Sequence, residues 1–378
     1  MSLSLHTSLL LFFLLSVLLL RGTTSLPGSI GMTYTSSGSS PPPDHVASTL
    51  QSLKISAVRL PNPSPSVVRS FSYSNISLLL SLPNSLLPSL ASNRSSADLF
   101  LYTHVIPFYP RSHISSISLG SDIFSSSSDL SSLLLPALRN LHSSLISLGI
   151  HSISLSTTFS FVNIMSTAFP PSSAEFNQPI SQLIIKPLLD FLDETNSSFF
   201  VNLYPYSVYN LNHDIPIGFA LFQEQEPFNF REDSVTGVKY RNLFDVMVDA
   251  VISAMAVAGH ENIPVVVTET GWPSSSNGAG DPDAREGYAE IYIKGLIDHL
   301  KSGLGTPLRK EGVAQTYIYE LFDGDEKQGN ETGEQNWGIL FPNMTAKYHI
   351  DFSEASGGPV AEIAIGFVLA VVGVLILH

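Results

Sequence analysis

Eight short apolar runs rich in β-forming residues recur along the chain, separated by longer stretches with helical spacing. This alternation limits the fold more than any other feature. The runs are SIGMTY (29–34), SAVRL (56–60), ISLLLSLP (76–83), ISSISLGS (114–121), HSISLST (151–157), FFVNLYPY (199–206), PVVVTE (264–269) and TYIYELF (316–322). Several are too continuously apolar for a sheet with one wet face, as expected of parallel strands covered by helices. Between them, Asp129–Leu148 carries leucines at helical spacing and stops before Gly149, and Pro179–Glu194 opens with a proline suited to a first turn. Tyr240–Ala258 places Leu243, Phe244, Met247, Val251 and Met255 on one stripe, and Ala284–Lys301 repeats that pattern. The segment 220–239 has no clear period and reads as an extended loop.

Strands alternating with helices give either a closed barrel or an open doubly wound sheet. No glycine-rich phosphate fingerprint follows the first run, which leaves a dinucleotide fold without support. The prediction is an α/β chain folded as a single-domain (β/α)8 TIM barrel over residues 26–354. Such barrels use about 250 residues or more, and the chain has 378.

Charge and composition narrow the partners. A net charge of −14 repels nucleic acid and anionic surfaces, whereas a neutral polysaccharide is compatible with it. With no cysteine there is neither a disulfide nor a thiolate metal site, and nothing in the sequence points to a metal or cofactor.

Both ends read as processing signals. Residues 8–20, SLLLFFLLSVLLL, are followed by the small and polar RGTTS, the pattern of a secretory signal peptide over 1–25. A signal anchor is the alternative, disfavoured by the shortness of the run. At the other end, the 15 apolar residues Ile363–Leu377 follow the small residues Ser356, Gly357 and Gly358. A membrane span needs about 20, so residues 355–378 read as a glycosylphosphatidylinositol (GPI) attachment signal with Ser356 as the lipid site. A single span is the other reading. Asn75, Asn93, Asn196, Asn330 and Asn343 each open an N-x-S/T glycosylation sequon. Together these features place the chain at the extracellular face of the plasma membrane, held in the outer leaflet by a GPI anchor.

Barrel enzymes carry their chemistry at the C-terminal ends of the strands. Glu269 closes the seventh run, and a carboxylate there costs free energy unless it is paired or used; a barrel-end glutamate held by an arginine is the bland reading. Asp122 closes the fourth run; if it points into the barrel, alternation sends Gly120 and Ser118 inward too and leaves Leu119 and Ile117 facing the helices. Two carboxylates on different strands of one mouth are what glycoside hydrolysis requires: one protonates the leaving oxygen, the other attacks or stabilises the sugar carbon. Tyr34, Tyr204, Tyr206 and Trp272 fall at or just beyond strand ends, where rings can pack on the apolar faces of sugars. Each one singly is as readily a packing residue. Glu320, in the last run, is a further carboxylate at this rim, more readily read as part of the barrel wall.

The segments IGMTY, VRL, LLPSLA, PLLDFLDE, VNLYPYSVY, YRNLFDVMVDAV, VVVTETGWPSSS and EQNWGILFPNMTAKY, spread from Ile30 to about Phe352, resemble plant members of glycoside hydrolase family 17, the endo-1,3-β-glucanases. The resemblance implies a (β/α)8 barrel that cleaves β-1,3-glucan with retention of configuration, and many such members carry a GPI anchor. It makes Glu269 the nucleophile and Tyr204 a cleft tyrosine, and it matches Lys327 and Glu334 to polar residues around the last strand. Departures gather on the acid side. Leu119-Gly120-Ser121-Asp122 stands where the family has Val-Gly-Asn-Glu, Thr33 and Thr35 replace an asparagine and a glycine, Pro61-Asn62 replaces Tyr-Asp, and Gly324 replaces an acidic residue. Aspartate sets its carboxyl back by about one C–C bond, ~1.5 Å, relative to glutamate. Three readings stay open: a hydrolase using Glu269 and Asp122, a catalytically impaired glucan-binding surface protein, and a transglycosylase.

Overall fold

A computed structural model describes residues 29–36, 40–126, 128–212, 214–225, 230–275, 281–323 and 336–352. The two terminal segments, with Asn330, Lys327, Glu334 and Ser356, lie outside the described residues. Among the described residues no helix is long and apolar enough to cross a membrane.

Eight parallel strands close on themselves: β1 (Ser29–Thr33), β2 (Ala57–Pro61), β3 (Ser77–Leu82), β4 (His113–Ser121), β5 (Ser154–Ser160), β6 (Phe199–Asn202), β7 (Val265–Thr270) and β8 (Gln315–Ile318). Their order around the barrel is β1-β8-β7-β6-β5-β4-β3-β2. Helices α1 (Pro43–Ser52), α2 (Pro65–Ser70), α3 (Arg94–His104), α4 (Leu134–Ser147), α5 (Lys186–Glu194), α6 (Leu243–Val257) and α7 (Glu286–Ser302) follow β1 to β7 in turn. The predicted TIM barrel is therefore the fold.

Local sequence explains most of the boundaries. α6 is apolar on nearly every side and buried from Leu243 to Ile252. Its first turn is fixed by Asn242, whose side chain accepts from the Asp245 N–H, a cap worth about 1 kcal/mol. α7 ends at Gly303, whose φ of 65° is left-handed and strains any other residue. The strand expected at 199–206 stops at Asn202 because Pro205 begins a short helix. The fifth strand lies three residues later than expected, and the eighth ends at Ile318 instead of Phe322. The described part of 220–239 is not one featureless loop: Arg231–Glu232 pairs antiparallel with Lys239–Tyr240 at its end.

Alternation sorts the strand residues between two cores. Val58, Leu60, Ile117, Leu119, Val201 and Val267 pack outward among the helices, each such burial stabilising by about 1.5–3 kcal/mol. Ala57, Leu79, Phe200, Val266 and Tyr317 fill the barrel itself. Gly31 makes that filling possible, since a Cβ there would stand 2.6 Å from the Tyr317 ring.

Candidate active site

Inward parity on β2 follows from Ala57, so Arg59 also points into the barrel, at 3% exposure. The same count on β7, from inward Val266, would send Glu269 out towards the helices. A β-bulge prevents this: Val267 pairs with Val201, but the next pair is Glu269 with Asn202. The extra residue, Thr268, donates its hydroxyl to Asn202 Oδ1 at 2.8 Å, and Thr270 then turns outward to meet the Tyr292 hydroxyl. Bulges that re-aim a side chain recur beside active sites, and this one brings Glu269 to the barrel mouth.

There the carboxylate is held on both oxygens. Oε1 lies 2.5 Å from Arg59 Nη1, and Oε2 accepts the Tyr204 hydroxyl at 2.8 Å. Burial, with the neighbouring Glu269 charge, pushes the Tyr204 phenol well above its ordinary pKa, so it stays a neutral donor. The bland reading of Glu269, a rim glutamate paired with an arginine, has its arginine; but that pair lines the mouth, and Glu269 keeps 15% side-chain exposure.

Asp122 sits at the end of β4 in the left-handed region, φ 43°. The alternation argument for it does not reach so far, because β4 carries its own register shift between Ser118 and Ser121. Oδ2 of Asp122 accepts from Asn163 Nδ2 at 2.5 Å and from the Ser125 hydroxyl, which holds the carboxylate on the β4–β5 side of the rim.

Aromatic rings crowd the rim beyond β6 to β8. Half-buried Trp337 stands 5.2 Å from Tyr204, 5.7 Å from Tyr206 and 6.0 Å from Tyr319. Trp272 is deeper, 1% exposed, with its indole N–H given to the Asp283 carbonyl at 2.8 Å and its ring against Tyr206 and Tyr292. Tyr34 is equally buried, edge-on to Phe322, and burial raises its phenol pKa. Trp272 thus backs the Tyr206 ring, while Tyr204 and Trp337 take the mouth. Glu320 is 8% exposed, and its N–H donates to the Trp337 carbonyl.

Arg59, Asn163 and Trp337 were not singled out from sequence. Arg59 had a signal, being the one charge in an apolar strand. The four described sequon asparagines, Asn75, Asn93, Asn196 and Asn343, are exposed.

The chain is 36% identical over 309 residues to glucan endo-1,3-beta-glucosidase 2 of Arabidopsis thaliana, covering 82% of this chain and 60% of that one. It thus spans about three-fifths of the length of such curated relatives. Among solved structures it is similar to CJP38, a beta-1,3-glucanase and allergen of Cryptomeria japonica pollen. The TM-score is 0.79 at 33% identity, over 86% of this chain and 99% of that one. A plant beta-glucan endohydrolase superposes with a TM-score of 0.76 at 30% identity, over 85% and 100% of the two chains. Residues 30–352 match the family model described as glycosyl hydrolases family 17, and the chain belongs to that family.

Proposed function

We propose that this protein hydrolyses internal β-1,3-glucosidic bonds of cell-wall β-1,3-glucan with retention of configuration. The observation that carries the reading is Glu269 at the barrel mouth, its two oxygens fixed by Arg59 and Tyr204. In the first step Glu269 attacks the anomeric carbon as the bond to the leaving oxygen breaks, and Asp122 gives that oxygen a proton. A glycosyl ester on Glu269 results. In the second step Asp122 takes a proton from water, the hydroxyl adds to the same carbon, and Glu269 leaves with its electron pair. Arg59 and the Tyr204 hydroxyl hold the attacking oxygens in line, and Tyr204, with Trp272 and Tyr34 buried near the strand ends, shapes the sugar subsite. Lys327 and Glu334 enter the reading through the family resemblance alone.

Asp122 also favours a second reading. Its carboxylate is shorter than glutamate and is committed to Asn163 and Ser125. A retaining pair needs its carboxyls about 5–5.5 Å apart, and an acid withdrawn to the rim leaves a glucan-binding surface protein with impaired turnover. One experiment separates the two. Purified protein is incubated with laminarin-type β-1,3-glucan, reducing ends are counted, and the product anomer is followed by NMR. Release of β-anomer by the parent, abolished by Glu269→Gln and faster in Asp122→Glu, supports the hydrolase. Saturable glucan binding with no reducing ends in any variant supports the binding protein.

The terminal segments and exposed sequons support a location at the extracellular face of the plasma membrane through a GPI anchor at Ser356. Release of the protein from intact cells by a phosphatidylinositol-specific phospholipase tests this; retention in the membrane after treatment would refute it.

A further inference from the structure

Beyond β8 the chain returns through residues 336–348 and carries Trp337 to the mouth. Lys347, in this return, has a side chain only 2% exposed. Its ammonium donates to both Asp323 oxygens at 2.9 Å each and to Ser274 Oγ at 2.8 Å, an acceptor for each of its three hydrogens. The partners are themselves tied to the residues flanking Trp337. Asp323 Oδ1 accepts the Gly338 N–H at 2.9 Å. Ser274 gives its hydroxyl to the Asn336 carbonyl at 2.9 Å, and its N–H to the same oxygen at 2.7 Å. The return presses so closely on the loop after β8 that a Cβ at Gly338 would stand 2.2 Å from the Asp323 nitrogen. One buried ammonium therefore joins the loop after β7, the loop after β8 and the return segment.

A buried ion pair is weak as a source of stability, because apolar residues of the same volume commonly serve as well. What it supplies is a fixed geometry. Asn336 and Gly338 are anchored on either side of Trp337, and the Trp337 carbonyl receives the Glu320 N–H at 3.2 Å. The indole is thereby set against Tyr204, the residue that bonds Glu269. We propose that Lys347 is a positioning residue: it holds the Trp337 ring as a platform for a glucose unit beside Glu269, and so sets the affinity for the glucan chain. This rests on the glucan-acting reading above.

The test uses the full chain carrying Glu269→Gln, so that nothing is turned over, titrated with a laminari-oligosaccharide by calorimetry. Tryptophan emission is recorded in parallel. The chain has two tryptophans, and with Trp272 1% exposed a ligand-dependent shift reports Trp337. Lys347→Met is expected to weaken binding about tenfold, about 1.4 kcal/mol, and to diminish the emission shift. Ser274→Ala, which removes one of the three acceptors, is expected to weaken it about two- to threefold (~0.4–0.7 kcal/mol). Unchanged affinity in both, with a lowered melting temperature, makes Lys347 merely structural and overturns the inference. Where Lys347→Met does not fold, unchanged affinity in Ser274→Ala overturns it alone. Absence of any binding by the Glu269→Gln parent instead sinks the glucan reading, a distinct failure.

Discussion

Arg59 Nη1 and Glu269 Oε1 meet at 2.5 Å although their strands, β2 and β7, are separated in the barrel by β1 and β8. The ion pair thus spans the mouth above Tyr317, the ring that fills the barrel beneath it. Such a contact depends on closure of the barrel, on the β7 bulge and on the room left by Gly31, all at once.

Arg59 supplies the first prediction. Arg59→Lys keeps the charge but loses the planar fork that fixes a carboxylate. Turnover of laminarin-type glucan should fall on the order of 100-fold, as for a misplacement of about 1 Å, with little change in melting temperature. Arg59→Met leaves Glu269 uncompensated in a largely buried site and should destabilise the fold by about 3–5 kcal/mol in urea unfolding. Turnover in Arg59→Lys equal to the parent's would show that the pair does no more than hold the barrel rim.

Tyr204 gives a prediction about pH. Its phenol is pushed well above 10 by burial and by the Glu269 charge, so it donates to Glu269 throughout the accessible range. Tyr204→Phe should lower kcat about tenfold or more while leaving the alkaline limb of the rate profile where it was. A limb that moves in Tyr204→Phe would mean that the phenol itself ionises during the reaction.

The two tryptophans separate by what substitution does. Trp337→Ala removes a ring at the mouth, and KM should rise about tenfold with the melting temperature little changed. Trp272→Ala empties a packed wall and abandons the Asp283 carbonyl, so its main effect should be a loss of about 3–5 kcal/mol in stability. A Trp272 variant of parental stability but poor affinity would bring that ring back into the sugar site.

These residues also show how far the sequence could be read. The alternation of runs and helical stripes was legible because covering a parallel sheet on both faces forces continuous apolar strands, and Glu269 stood out as a carboxylate closing one of them. Its orientation was not legible: parity from Val266 sends it the wrong way, and Thr268 alone does not announce a bulge. Asp122 suffered the same loss of phase after Ser118. Trp272 borders a strand end whereas Trp337 lies in the return beyond β8, and only the packed structure shows that the second takes the mouth and the first the wall behind. The run at 316–322 read as one strand because Tyr319 and Leu321 continue its apolar character after the ladder has ended. Arg59 and Lys347 are buried cations whose partners come from distant segments, Glu269 and Asp323, and no local pattern names such a partner.

The last prediction concerns stability and acid. Asp249, on α6, is fully buried and accepts the Leu308 N–H at 2.9 Å. Thr306 and the Tyr240 hydroxyl also bond it, while Asp245 and Arg309 lie close enough to act on its charge. Burial is the largest influence and, with the Asp245 charge, raises its pKa from 3.8 to about 6. A carboxyl raised on folding contributes stability that is complete below its unfolded pKa and is lost as pH climbs through the folded value. The protein should therefore lose roughly 2 kcal/mol between pH 4 and pH 6.5 from this group. The nearby His299, raised by its bond to Asp245 despite burial, acts with the same sign at higher pH. Asp249→Asn retains an acceptor for the Leu308 N–H but has no proton to lose. Urea unfolding at pH 4 and pH 6.5 should show a smaller difference in this variant than in the parent, with the gain in stability at the higher pH. Equal differences in the two proteins would mean that Asp249 titrates no differently folded than unfolded.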